Sequence, residues 1–396
     1  MEPFRKWVRV GLLSILLNFI GIASSISVDL SSANFRYKYD PECEVRIQHQ
    51  LEFAAEMYQV HFKIILKEDS ITDYTFEVFT QAGYIDNSAE AASGEAISPN
   101  SRKGNTHFFS HQFPDDSSLN LIVLAVSNPD LEQPYYYDIP IGIIVNFQPP
   151  GFLLSKNGAL LYEEFVQEND SIAADKTVWA YQYPDIFPAA LPPIAEPTTV
   201  PENLQIQSVR QMNRGLKIEN DKFYFIQSDT VSFSGRTVIG APQFYPRLAK
   251  IENVVEPLIY ISTKSEFDQV VNSADLKKGF DAFWLNVVGS KTKAAQMIRY
   301  FFRQVAFSNQ YFTNYKQGWK TDMGMVFIIF GVPDLVKRTA ATETWYYNDG
   351  LNESSTVFTF HKIKNIFTPH HYELERSDAI KQAWFQQVNR WRKGRI

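Results

Sequence analysis

His370, His371, Glu373 and Glu375 bring four metal-ligating side chains into one short stretch of this chain. Residues of one parity share a face of a strand, so His371, Glu373 and Glu375 could meet a single cation. No spacing supplies a fourth ligand, and a solvated edge-strand face is the stronger reading. His107 and His111, four apart in "HFFSHQF", also share a face when extended, but two ligands do not make a site. The serine nucleophile elbow, the zinc-protease HExxH, the phosphate loop and the dinucleotide glycine pattern are absent from the sequence. A Ser/His/Asp triad cannot be assigned by spacing in so serine-rich a chain. No catalytic residue, metal or cofactor is therefore assigned.

The stretch "YKQGWKTDMGMVFIIFGVPD", residues 315 to 334, concentrates glycines, a tryptophan and an aspartate around an apolar run. A packing account covers every one of them. Gly318 follows a long helix where a left-handed cap wants glycine. Trp319 folds back over that helix, its indole N–H needing one partner. Thr321 and Asp322 fix a turn through backbone amides, Gly324 starts a strand "MVFIIF", and Gly331 with Pro333 closes it. The functional alternative is a pocket with Trp319 as its floor and Asp322 as its polar group. The basic tail, Arg390, Arg392, Lys393 and Arg395, reads first as a complement to the negative end of a terminal helix and second as an anion-docking patch.

The elements that must position these residues follow from composition and pattern. With 396 residues, 45% of them apolar, the chain suits two or three domains. A formal charge of −6 lacks the basic footprint of a nucleic-acid binder. Thirty-one Phe and twenty Tyr favour strands. At the start, Arg5, Lys6 and Arg9 precede an apolar run from Val10 to Ala23, with small residues near Ser25. This reads as a secretory signal over residues 1–25, the run falling short of the roughly 20 residues of a membrane span. A transmembrane span in the mature chain is not expected. The single cysteine, Cys43, rules out a disulfide within the chain.

Residues 26–148 carry period-2 stretches such as "YQVHFKIIL" and "LNLIVLAVS" and read as a β-sandwich, with the polar insert at 87–105 as a surface loop. "FQPPG" marks a boundary. Residues 149–248 read as a smaller β domain with a stiff proline-rich connection from Pro184 to Pro201 and two strands joined through Ser228 to Ser234. From 249 to 396 the period changes. Ala294, Ile298, Phe301, Val305 and Phe312 mark one face of a long helix. Strands are expected at 325–330, 343–347, 355–363 and 371–375. A final helix starts at Ser377 and buries Ile380, Trp384, Val388 and Trp391.

Gly318-Trp319-Lys320-Thr321-Asp322 resembles the signature of the GWxTD domain family, and "LKKGFDAFW", "FSNQYFTNYKQ", "FGVPD" and "ETWYY" are similar to its other pieces. At Met323 the chain departs from the arginine often found there. The resemblance covers about 250–396 and suggests a reach upstream. It implies an exported protein of the Bacteroidota type with a C-terminal α/β (α+β) GWxTD domain behind the N-terminal all-β sandwich-like regions, a mixed fold. The family brings no activity with it.

Asp69-Ser70-Ile71, Asp170-Ser171-Ile172 and Asp229-Thr230-Val231 resemble the O-glycosylation acceptor of exported proteins in that bacterial group, making Ser70, Ser171 and Thr230 candidate glycan sites. The bland reading of each is a turn or strand start, Asp229 capping a hairpin. The functional expectation is a non-enzymatic envelope protein that binds another envelope protein in an outer-membrane or periplasmic assembly. A glycan-binding or glycan-cleaving exported protein is the alternative.

Overall fold

The computed structural model describes residues 28–67, 73–85, 94–116, 120–141, 148–195, 204–212, 215–348 and 355–396. The expected leader, Ser70 and part of the insert lie outside the described residues. The fold is mixed, with β-sheets through the first two thirds and helices plus a sheet in the last.

The first region is two four-stranded antiparallel sheets. One runs in the order Val45–Ala54, Met57–Leu66, Thr106–Pro114, Ser101–Lys103; the other Glu95–Ala96, Thr75–Gln81, Leu121–Ser127, Tyr135–Pro140. Alternation sets the inward face: Tyr58, Val60, Phe62, Ile64 and Leu66 point from one strand into a core shared with Phe76, Val78, Ile122 and Leu124. The 87–105 stretch is not wholly a loop, because Glu95–Ala96 and Ser101–Lys103 pair onto the edges of the two sheets. Leu121–Ser127 is buried on both faces. Its second face, Leu121, Val123 and Ala125, belongs to the same core as Trp345 and Phe327 of the last third.

The second region holds a small four-stranded sheet and a five-stranded one ordered Phe165–Gln167, Arg236–Ala241, Lys222–Gln227, Val178–Pro184, Ser208–Met212. Lys222–Gln227 and Arg236–Ala241 form the hairpin expected around Ser228 to Ser234. Tyr224, Ile226 and Val238 face one core, while Phe223, Phe225 and Ile239 face another that includes Tyr315. Such two-sided burial explains the unbroken apolar spelling of "FYFI".

Among the described residues the last region opens with α1 (Ile251–Val255), α2 (Lys264–Val271), α3 (Leu276–Val288), α4 (Lys291–Phe312) and α5 (Asp322–Phe330), and ends, after its sheet, with α6 (Asp378–Arg392). Thr263 and Glu266 form a capping box at α2. Gly289, at φ 75°, ends α3. Ser377 caps α6 through Ile380 N–H, and Ile380, Trp384 and Trp391 are buried with Val388 packed beside them. On α4, Met297 joins Ala294, Phe301, Val305 and Phe312 in the buried stripe while Ile298 is only partly buried. The sheet runs Leu335–Arg338, Thr342–Tyr347, Thr356–Lys362, Tyr372–Leu374.

The expected strand at 325–330 is instead α5. Its residues from Met323 to Ile329 are all buried, so neither a helical nor a strand period shows in the spelling. Helix is decided by the ends, where Thr321 caps the start and Gly331, at φ 79°, stops it.

Candidate functional site

The motif is a packing device for three backbones. Gly318–Lys320 form one 3-10 turn, and α4 has already ended at Phe312 with Thr313 extended. Gly318 is therefore not a left-handed helix cap, and its φ is not positive. Glycine is required there by contact: a Cβ would lie 2.1 Å from Ser308 O on α4. Gly324 does not start a strand either; a Cβ on it would lie 1.9 Å from Gly318 O and 2.4 Å from Ser308 Oγ. The two glycines let α4, the turn and α5 nest at backbone contact.

The remaining motif residues hold that nest. Asn309 Oδ1 on α4 accepts from Trp319 N–H at 3.0 Å, while Asn309 Nδ2 donates to Pro246 O at 2.9 Å. Trp319 is 2% exposed, and its Nε1 donates to Gln317 Oε1 at 2.9 Å. Its carbonyl accepts from Tyr260 OH at 2.8 Å. Thr321 Oγ1 donates to Gly318 O at 2.8 Å and accepts from Gly324 N–H at 2.9 Å, closing the turn and capping α5 at once. Gly331 and the buried Pro333 close a helix rather than a strand.

Asp322, in the first turn of α5, accepts from Arg376 Nη2 at 3.2 Å. Burial pushes its carboxyl above the ordinary range, and Arg376 and Lys316 oppose that. The same guanidinium donates to the carbonyls of Leu191, Pro192 and Ala195, so Asp322 aims Arg376 at the proline-rich connection. Lys320 adds a second tie through its carbonyl to Ala190 N–H at 2.9 Å. Trp319 is sealed in the core, and the ion-paired Asp322 serves a clamp on the connection rather than the polar group of a pocket.

We expect Asp322→Asn to cost on the order of 1 to 2 kcal/mol, because the charge-assisted bond to Arg376 weakens while the amide keeps its shape. Urea unfolding measures the loss, and limited proteolysis between Pro184 and Ala195 should quicken. A protein that melts like wild type yet loses partner binding would make Asp322 a functional carboxylate instead.

The histidine groups separate. His371 Nε2 lies 3.6 Å from Glu373, whereas Glu375 meets His361 Nε2 at 3.0 Å. His107 is buried, and His111 pairs with Glu95 at 3.4 Å. Among the described residues no group of three or more His, Cys, Asp or Glu could hold a metal. In the basic tail Arg392 is an internal tie, bonding Ile261 O and both carboxylate oxygens of Glu266, whose pKa it draws down to about 2. Ser171 is exposed and opens the strand Ser171–Ala174. Thr230 is exposed at the hairpin bend, where Asp229 caps Val231 and Ser232 N–H at 2.8 and 2.6 Å.

Sequence reasoning missed a buried ionic network at the meeting of the regions. Asp138 accepts from Lys38 Nζ, Arg338 Nη1 and Tyr84 OH, each at 2.5 Å. Arg338 Nε also lies 3.0 Å from Glu343, which accepts from Tyr39 OH at 2.6 Å and Trp345 Nε1 at 2.7 Å. Burial and the neighbouring Arg338 push Lys38 down to about 8. The available signal was parity: Glu343 shares its strand face with Trp345 and Tyr347, all buried.

Beside the network lies a chamber of about 420 Å³ walled by all three regions, with side lobes of about 210 and 90 Å³. His49 and His370 line all three spaces. Burial, with Lys38 and Arg236 nearby, takes His49 down to about 3, and burial also holds His370 well below the usual imidazole range, so both are neutral at pH 7.

A family model described as the GWxTD domain matches residues 222–393, opening at the hairpin upstream of the change of period at 249. No curated protein and no solved structure matches the chain. Among the described residues no helix is long and apolar enough to cross a membrane. Residues 222–393 of the chain are a match to the GWxTD domain.

Proposed function

We propose that this is an exported, non-enzymatic envelope protein that binds another envelope protein through the tip of the hairpin Lys222–Gln227/Arg236–Ala241. The carrying observation is that Val231 and Phe233 stand 87% and 74% exposed on a tip that is itself tied down. Asp229 holds Val231 and Ser232 N–H, Gln227 Nε2 donates to Ser232 O at 2.6 Å, and Ser234 Oγ donates to Pro149 O at 2.6 Å. Two large apolar side chains on a pre-ordered support lose little freedom on docking, which is how a small patch becomes an anchor. The leader supports export, since a signal of that form directs a chain across a membrane.

The test places a photoactivatable residue at Phe233 in the native host. A discrete cross-linked partner in the envelope fraction is expected, and Val231→Asp should remove it while changing stability by no more than about 0.5 kcal/mol. A cross-link from position 233 that survives Val231→Asp, or none at all, overturns the assignment of the tip.

A further inference from the structure

We propose that the chamber between the three regions is a binding site for a small organic acid with a ring-sized body, an acidic monosaccharide, whose carboxylate is taken by Arg236. Arg236 opens the strand Arg236–Ala241, lines the 90 Å³ lobe and is 7% exposed. Its Nη2 donates to Glu163 O at 3.2 Å, but Nε stands 4.0 Å from Glu164 Oε2, and buried Nη1 has no hydrogen-bond partner. A guanidinium N–H sealed from water without an acceptor is costly, and a planar carboxylate matches the fork. Thr237 Oγ1, on the same lobe, is also buried and unpartnered.

The other charges of the cavity are committed. Lys63 pairs with Glu163 at 3.2 Å, and Lys38 and Arg338 face Asp138 and Glu343. Arg46 at the rim adds positive charge. The carboxylates acting on Arg236 include Glu164, with Oε2 4.0 Å from Nε, and Glu163, and burial raises the Glu164 pKa.

The main chamber falls in the size range of small-molecule sites, roughly 300 to 1,000 Å³. Tyr137, Tyr162 and Tyr372 stand on its walls, Tyr137 OH bonded to His49 Nδ1 at 2.9 Å and Tyr372 OH accepting from Arg338 Nη2 at 3.4 Å. Neutral His370, and neutral His49 through the Nε2 that Tyr137 does not engage, can exchange hydrogen bonds with sugar hydroxyls without adding charge. Residues of all three regions contribute, so the site exists only in the assembled chain.

Titration calorimetry on the full mature chain uses D-glucuronate as probe, with D-glucose and acetate as controls. Binding of glucuronate with Kd tighter than about 1 mM is expected, each control being at least tenfold weaker. Arg236→Gln should weaken glucuronate at least tenfold and leave glucose unchanged. If that variant fails to fold, Arg236→Lys, which keeps the buried cation but not the fork, should still weaken glucuronate several-fold. Glucose or acetate binding as well as glucuronate, glucuronate not binding at all, or a folded Arg236 variant binding like wild type would each overturn the proposal.

Discussion

Gly324→Ala is expected to destabilise the GWxTD domain by more than about 3 kcal/mol, beyond the ordinary range for overpacking. The added methyl would meet Gly318 O at 1.9 Å, Gly318 C at 2.9 Å and Ser308 Oγ at 2.4 Å. Only the last of these can rotate away. The other two are backbone, so relief requires α5 to slide off the turn, and the turn is itself wedged on α4 because Gly318 meets Ser308 O in the same manner. Such a slide would break the bonds that Thr321 makes to Gly318 O and Gly324 N–H.

Gly331→Ala provides the contrast. Its added Cβ meets nothing within 4 Å, and the cost there is confined to the left-handed φ of 79°, about 1 to 3 kcal/mol. Urea unfolding of both variants decides the point: Gly324→Ala must be the more damaging. A Gly324→Ala protein within about 1 kcal/mol of wild type would mean that the three backbones do not nest as described.

Asp138→Leu is expected to cost about 3 to 5 kcal/mol, the range for leaving buried charges unmatched. The substitution leaves two cations, Lys38 and Arg338, against the single carboxylate of Glu343, with Tyr84 OH unbonded, all in the interior. Replacing Arg338 by Met in the same protein removes one of the stranded charges and should restore part of the loss, a coupling that a double-mutant cycle reads directly. Additive losses would show that the network does not act as a unit.

The pH dependence has a definite sign. Burial works to raise the Asp138 carboxyl, but Arg338 and Lys38 beside it hold it far below the ordinary range. A folded-state value below the unfolded one gives stability that is present above about pH 4 and lost as pH falls toward the folded value. Asp138→Asn should therefore flatten the acid limb of the stability curve. For Lys38, held at about 8 against 10.5, the unfolded chain binds the proton more tightly, so its contribution grows as pH rises between those values.

Local rules carried the reading where one face of an element meets water. The sandwich strands and α6 with its Ser377 cap are spelled by alternation and a periodic stripe. They failed where both faces are buried. Nothing in "MVFIIF" distinguishes α5 from a strand, and its caps Thr321 and Gly331 are equally good turn residues. The tight turn after Val45–Ala54 was silent because Ala55 and Glu56 adopt φ of 52° and 58° without the usual Asn-Gly. Gly318 was legible as a special position, but whether glycine serves conformation or close approach depends on where Ser308 lies. The network and the chamber rest on pairs some 200 and 300 residues apart, such as Arg338 with Asp138 and Tyr39 with Glu343. One sequence carries no record of such distant pairing.

The apolar back of the sandwich sets an order of events. Phe79, Leu121, Val123 and Ala125 leave the ribosome well before Phe327 and Trp345, which belong to the same core. Until the last third of the chain has been made, the first sheets can form but carry an uncovered greasy side with Asp138 lacking Arg338. The nascent protein is thus committed to a late, chain-spanning closure, a slow kind of step that leaves it adhesive in the interval. A ribosome that stalls before residue 335 releases a fragment marked for a chaperone or a protease by its bare sheet.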